Sequence, residues 1–371
     1  MKKIYTTTFH NASNYGAVLQ AYALQQILLK KYDTAILNYN CTAISDVYRC
    51  FKRRNGSKKH QTVQLVKDIL NCKKEYLRNQ HFKKFRNNFL KETREYKTAQ
   101  DVIQHYPDGD IYITGSDQVW SPTITKGLNP VYTLDFGDHN FRKISYAAST
   151  GSNASIEHSV DELVQILQEY QALSVREDTL KQLLLNNGIE NVELVLDPSL
   201  LLTREEWGKL IPPKKIEKQK YILVYSWDEP SFFFKIVNQF AQTNNYKIYY
   251  YRRRDYKHLF HGRKKSYFEY GPREFLSLIK NAECVFTTSF HGTALSTIFN
   301  KKFFAIPAKN PDRIINLLNS IDLSSRIITN TQDFKQISSE EINWEQANQL
   351  IKQKRQQSIE WLYSSIDKEQ K

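Results

Sequence analysis

The 371-residue chain has no run of about 18 consecutive apolar residues, which excludes an ordinary membrane-spanning helix. Its opening, Met1-Lys2-Lys3-Ile4-Tyr5-Thr6, lacks the apolar stretch of a secretory signal, so a cytoplasmic protein is expected. Cysteine is scarce. Cys41, Cys50, Cys72 and Cys284 stand apart, with no C-x-x-C pair and no histidine at zinc-ligand spacing. That pattern excludes a disulfide scaffold and a structural zinc site, and no metal is expected. Glycine and proline, at 12 and 10 residues, are too few for a fibrous or low-complexity chain. Negative charge also falls short: 39 acidic residues face 53 Lys and Arg, a net charge of +14.

The basic excess is clustered at Lys52-Arg53-Arg54 with Lys58-Lys59, at Lys83-Lys84 with Arg86, and at Arg252-Arg253-Arg254 with Arg263-Lys264-Lys265. Such clusters favour anionic partners: phosphorylated substrates, lipid head groups or nucleic acid. No helix-turn-helix, zinc or RNA-binding signature accompanies the charge, so nucleic acid is not expected. With 40% apolar and 13% aromatic residues the chain is globular and long enough for two domains.

Short apolar runs alternate with helical patterns along the whole length. Lys3 to Phe9 reads as a strand, followed by the polar loop His10 to Gly16 and a helix marked by Leu19, Ala23 and Ile27. A strand opening onto a polar loop and a helix start has the geometry of an anion site, although the glycine pattern of a dinucleotide fingerprint is missing. Residues from about 42 to 100 form a basic, aromatic helical insertion, whose stripe of Tyr76, Phe82, Phe85 and Phe89 is read as packing rather than as a membrane or sugar surface. Asp110 to Thr114 is a strand that runs into Gly115-Ser116-Asp117-Gln118-Val119-Trp120. There Asp117 is a candidate base and Trp120 a candidate sugar-stacking ring, with a turn-capping aspartate as the alternative. Arg176 follows the strand 172–175 at a helix start, a poor place for the helix dipole and a good one for holding a carboxylate or phosphate.

The second half repeats the rhythm, with strands at 221–225, 247–251 and 283–287 and helices between them. It centres on Thr287-Thr288-Ser289-Phe290-His291-Gly292-Thr293, a turn between a strand and a helix. Ligands bind at such turns because backbone N–H groups and the positive helix end point outward there. Gly292 would let a ligand approach the backbone, and Ser289 and Thr293 offer hydroxyls; helix capping and a buried core histidine are the competing reading. The expected architecture is α/β: two Rossmann-like, doubly wound domains facing a cleft, with a C-terminal helix crossing back to the first. The expected boundaries are 1–197, 198–335 and a helical tail over 336–371.

Asn14-Tyr15-Gly16-Ala17-Val18-Leu19-Gln20, Gly115-Ser116-Asp117-Gln118-Val119-Trp120, Ser174-Val175-Arg176-Glu177, Leu196-Asp197-Pro198 and Ser289-Phe290-His291-Gly292-Thr293 occur in this order and at these distances. In this the chain resembles the polysaccharide pyruvyl transferase family, over roughly residues 4 to 320. The resemblance implies a GT-B-like fold, phosphoenolpyruvate as donor with no further cofactor, and a sugar or lipid-linked oligosaccharide as acceptor. It implies His291 as the acid and Arg176 as an anion clamp, with Asp117 and Asn14 holding the acceptor. Ser289, Gly292 and Thr293 fall on the donor side, and Tyr15, Gly16, Ser116, Gln118 and Trp120 on the acceptor side. Family members carry Arg two residues before the histidine, where this chain has Ser289. Arg252, Arg253 or Arg254 would supply that charge from a neighbouring strand end. A lipid-linked acceptor would draw the protein to the anionic inner face of the membrane. The same fold also admits a glycosyltransferase using a nucleotide sugar, or a non-catalytic glycan-binding protein.

Overall fold

The computed structural model describes residues 1–48, 58–137, 140–213, 216–251, 259–308 and 311–368, with 58–71 given by backbone alone. The chain divides into two compact units. The first comprises Met1–Val47, Arg86–Leu202 and Ile351–Lys371, the second Tyr48–Phe85 and Thr203–Leu350.

Up to residue 202 the elements are β1 (Lys3–Thr7), α1 (Tyr15–Leu28), β2 (Asp33–Ile36), α2 (Thr42–Ser45), α3 (Lys58–Phe89), α4 (Ala99–His105), β3 (Ile111–Thr114), α5 (Pro122–Thr125), β4 (Arg142–Ser145), α6 (Val160–Leu167), β5 (Leu173–Val175), α7 (Asp178–Asn186) and β6 (Val192–Leu194). A parallel four-stranded sheet has the order β2-β1-β3-β4, and β5 and β6 form a parallel pair. The pair continues the sheet, because Ser145 N donates to Ala172 O at 3.0 Å and Ala148 N to Ser174 O at 3.3 Å. β3 is buried at every residue, as a central strand covered by helices on both faces must be. The strand order reverses direction between β1 and β3, which makes the loops after those strands the switch point of the sheet.

The second unit follows with α8 (Arg204–Gly208), β7 (Tyr221–Tyr225), α9 (Phe233–Thr243), β8 (Lys247–Tyr250), β9 (Lys264–Ser266), α10 (Pro272–Asn281), β10 (Cys284–Thr287), α11 (Phe290–Ile298), β11 (Phe303–Ala305), α12 (Asp312–Ser320), α13 (Thr331–Ile337) and the start of α14 (Trp344–Asp367). Its parallel sheet has the order β11-β10-β7-β8-β9, with the switch point between β7 and β10. Ile222, Val224, Phe286 and Phe304 from the strands pack with Phe233, Ile236 and Val237 from α9 in one core. α8 starts in a capping box, with Thr203 and Glu206 each satisfying the other's backbone N–H.

Two boundaries depart from expectation. Of the insertion expected in the first domain over about 42–100, the part from Tyr48 to Phe85 clusters with the second unit. Arg78 explains why: its Nη1 donates to Phe268 O at 3.0 Å, and its guanidinium lies over the rings of Phe82, Tyr251 and Phe268. Of the aromatic stripe, Phe82 and Phe85 are buried while Tyr76 is exposed. The expected tail over 336–371 is divided: it stays with the second unit up to Leu350, and from Ile351 onward it belongs to the first, as a helix crossing back would. There the last carbonyls of α14 accept from cations, Ile366 O from Lys2 Nζ at 2.7 Å and Arg142 Nη1 at 2.9 Å, and Ser365 O from Arg142 Nη2 at 2.6 Å. Positive charge at a helix C-terminus is the favourable sign. Among the described residues no helix is long and apolar enough to cross a membrane.

Candidate functional site

In each unit the sequence-selected residues gather at the C-terminal edge of the parallel sheet. In the second unit β10 ends at Thr287, and Ser289 begins α11 as its N-cap with extended backbone, φ −101° and ψ 136°. The Ser289 hydroxyl accepts from Gly292 N at 3.4 Å, and Thr287 Oγ1 donates to Tyr225 O at 2.6 Å while accepting from Ser289 N at 3.0 Å. These bonds lock the turn to β7. His291 then falls in the first turn of α11, 8% exposed, with its ring 5.3 Å from that of Phe290. Thr288 Oγ1 accepts from Trp227 N at 2.8 Å and donates to Trp227 O at 2.9 Å, tying the loop after β10 to the loop after β7.

At three donor-side positions the side chain, or its absence, also serves the fold. Ser289 caps its helix. Thr293 turns its hydroxyl onto Ser289 O at 3.0 Å, within the helix. Gly292 makes room for protein rather than for a ligand, because a Cβ there would lie 2.3 Å from Thr287 Oγ1 and 3.0 Å from a Tyr225 ring carbon. Gly292→Ala is therefore expected to destabilise the fold by about 1–3 kcal/mol, as overpacking does. A melting curve superimposable on wild type would contradict that reading. Arg252, Arg253 and Arg254 lie outside the described residues.

In the first unit, Asn14 is the N-cap of α1; its Oδ1 accepts from Gly16 N at 2.9 Å and Ala17 N at 3.4 Å. Tyr15 and Gly16 are buried in that first turn. Asp117 and Gln118 remain partly exposed. Asp117 adopts a positive φ of 87° and accepts from Gln118 N at 2.9 Å, the local bonding of a turn aspartate. Trp120 cannot serve as a sugar platform in this arrangement: it is fully buried, with Nε1 donating to Tyr132 O at 3.2 Å and its ring edge-on to Tyr170.

Arg176 also departs from its expected role. Its Nε donates to Glu177 Oε1 and its Nη1 to Asp197 Oδ2, both at 2.9 Å, with all three side chains at most 5% exposed. Ser116 Oγ donates to the same Asp197 oxygen at 2.9 Å, and Ser149 Oγ to Glu177 Oε1 at 3.0 Å. Burial alone would lower the guanidinium pKa, but Glu177, Asp197 and then Asp117 outweigh it and hold it above its ordinary value. Two of its nitrogens are thus engaged by buried carboxylates. Arg176 and Ser116 thus join the ends of β3, β5 and β6.

His10, in the loop between β1 and α1, is fully buried, its Nδ1 3.1 Å from Thr8 O and its Nε2 3.3 Å from Asn38 Oδ1. Burial pushes its pKa below the ordinary 6.5, against an upward pull from Glu92, whose Oε1 lies 3.9 Å away; Arg86 adds to the lowering. A base depressed on folding contributes stability that is whole above its unfolded value near 6.5 and is lost as pH falls through the folded value. The urea midpoint should decline through that acid window, and His10→Gln should flatten the decline; an identical slope in the variant would remove His10 as its source.

Trp227 was not singled out by sequence. An indole two residues beyond a fully buried strand, in a switch-point loop, was the available signal. Among the described residues no group of His, Cys, Asp and Glu is arranged to hold a metal.

Solved structures share this architecture at low identity. A Listeria monocytogenes protein assigned as a UDP-N-acetylglucosamine 2-epimerase aligns with TM-score 0.58 and 8% identity, over 100% of this chain and 97% of that one. Staphylococcus aureus MnaA, solved with UDP, gives 0.54 and 12% over 95% and 91%. The Neisseria meningitidis UDP-GlcNAc 2-epimerase bound to UDP-GlcNAc gives 0.53 and 11% over 99% of each chain. These likenesses show a fold of GT-B type, with two Rossmann-like units. No curated protein matches the chain. The sequence profile of polysaccharide pyruvyl transferases, however, runs from residue 14, the cap of α1, to residue 310, beyond the His291 turn and β11. Carrying that profile across both switch points, the chain belongs to the polysaccharide pyruvyl transferase family.

Proposed function

We propose that the protein transfers the pyruvyl group of phosphoenolpyruvate to a sugar of a cell-surface polysaccharide or its lipid-linked precursor, forming a cyclic ketal. The observation that carries this reading is His291 in the first turn of α11, at the switch point of the second unit, within a chain that belongs to this family. Protonation of the donor's methylene carbon leaves positive charge at C2, which a sugar hydroxyl attacks. Loss of phosphate then lets a second hydroxyl close the ketal. A protonated His291 supplies the acid. The positive end of α11 suits the donor's carboxylate or phosphate, where Ser289 stands in place of the family arginine.

The test is incubation with phosphoenolpyruvate and a panel of glycosides, following phosphate release and the ketal by NMR. Release that depends on acceptor and yields a pyruvylated sugar supports the proposal. The epimerases named above are nucleotide-sugar enzymes, and at their identities they speak for fold alone. Inertness toward phosphoenolpyruvate together with turnover of a nucleotide sugar would replace pyruvyl transfer with that chemistry.

A further inference from the structure

We infer that Trp227 is the stacking platform for the acceptor's sugar ring, an assignment that rests on the pyruvyl transfer proposed above. Trp227 lies just beyond β7, on the side of the second sheet's switch point opposite the His291 turn. It is 38% exposed, whereas every residue of β7 before it is buried. Edge-on contacts hold its ring from within the unit: its centroid is 4.5 Å from that of Tyr225, at 72°, and 5.4 Å from that of Tyr251, at 65°. Tyr225 in turn lies against Gly292 in the first turn of α11. The main chain of Trp227 is clamped by the Thr288 hydroxyl in both directions. Next to it Asp228 has a φ of +51°, a left-handed conformation that turns the chain away directly after the indole.

A partly exposed indole is thus fixed relative to the turn that carries His291. Phosphoenolpyruvate has no ring to stack. A sugar does: the axial C–H bonds of a pyranose carry partial positive charge and meet the negative face of an indole favourably. The acceptor hydroxyls must also reach the donor's C2 beside His291, which brings the sugar ring to this rim of the sheet. Trp227 would therefore set acceptor affinity and orientation without joining the proton transfers.

The experiment compares wild type with Trp227→Ala and Trp227→Phe, measuring KM for a turned-over glycoside, KM for phosphoenolpyruvate, and glycoside binding by saturation-transfer NMR without donor. The bonds to Thr288 come from the main chain and persist in both variants; melting curves confirm the fold. Trp227→Ala should raise acceptor KM about tenfold and remove the NMR signal, with donor KM unchanged, and Trp227→Phe should recover most of the affinity. Unchanged acceptor KM and binding in a folded Trp227→Ala would overturn the platform while leaving pyruvyl transfer intact. Glycoside binding that needs Trp227, in a protein inert toward phosphoenolpyruvate, would retain the platform and overturn the reaction. A variant that loses binding of UDP rather than of the glycoside would overturn the sugar assignment.

Discussion

His291→Ala is expected to lower acceptor-dependent phosphate release by about 10²–10⁴-fold, the usual contribution of a positioned general acid. The loss should appear in kcat, with KM for phosphoenolpyruvate little changed, because proton delivery is realised in the transition state and not in the ground-state complex. Melting should not shift greatly. The turn is held by Ser289, Thr287 and Thr293 through bonds that do not involve the imidazole. His291→Gln, closer in volume, separates the two effects: it should keep the packing and still lack the acid. A folded Gln variant with wild-type kcat would exclude His291 from proton transfer. Equal losses of kcat and donor affinity in both variants would make it a binding residue instead.

Much of the fold was legible because parallel strands buried on both faces are written as continuous apolar runs. Tyr221–Tyr225 and Cys284–Thr287 are buried at every position. β9 carried no such signal. Among the described residues Lys264-Lys265-Ser266 pairs with β8 alone, at the sheet edge, where lysines are tolerated and guard against further pairing, so the segment reads as one more basic cluster. The placement of α3 was hidden for another reason. Its bonds from Arg78 and His81 reach Phe268 and Glu269, 190 and 188 residues away, and no local pattern reports contacts at that distance.

Within the site, spacing found the turns but not the directions of the side chains. Ser289 and Thr293 offer hydroxyls that the backbone itself uses, and so does the amide oxygen of Asn14, which the family resemblance points to. Trp120 was chosen for its place after a strand, yet residues there can turn inward as readily as outward. Trp227, in the same kind of position after β7, turned outward. Arg176 was judged against its own helix alone. The deciding carboxylate, Asp197, stands 21 residues further on and meets it only when β5 and β6 pair.

That pairing makes the loss of Asp197 costly to the first unit. Asp197→Ala takes from the buried Arg176 one of its two carboxylate contacts at 2.9 Å and strips an acceptor from Ser116. It also removes Oδ1, which accepts from Ser199 N at 2.9 Å and Ser199 Oγ at 2.6 Å at the turn after β6. Breaking one partner of a buried pair costs about 3–5 kcal/mol, because the remaining charge stays out of water without compensation. The expected result is a melting transition lowered by several degrees. Arg176→Met alone should also destabilise, leaving two carboxylates to repel one another. The double variant Arg176→Met with Asp197→Leu should recover much of the loss, since apolar replacement of a whole buried pair is often close to neutral. If Arg176 clamped the donor instead, Arg176→Met would melt like wild type and raise KM for phosphoenolpyruvate strongly. With Nε directed at Glu177 and Nη1 at Asp197, both buried, the geometry favours the loss of stability.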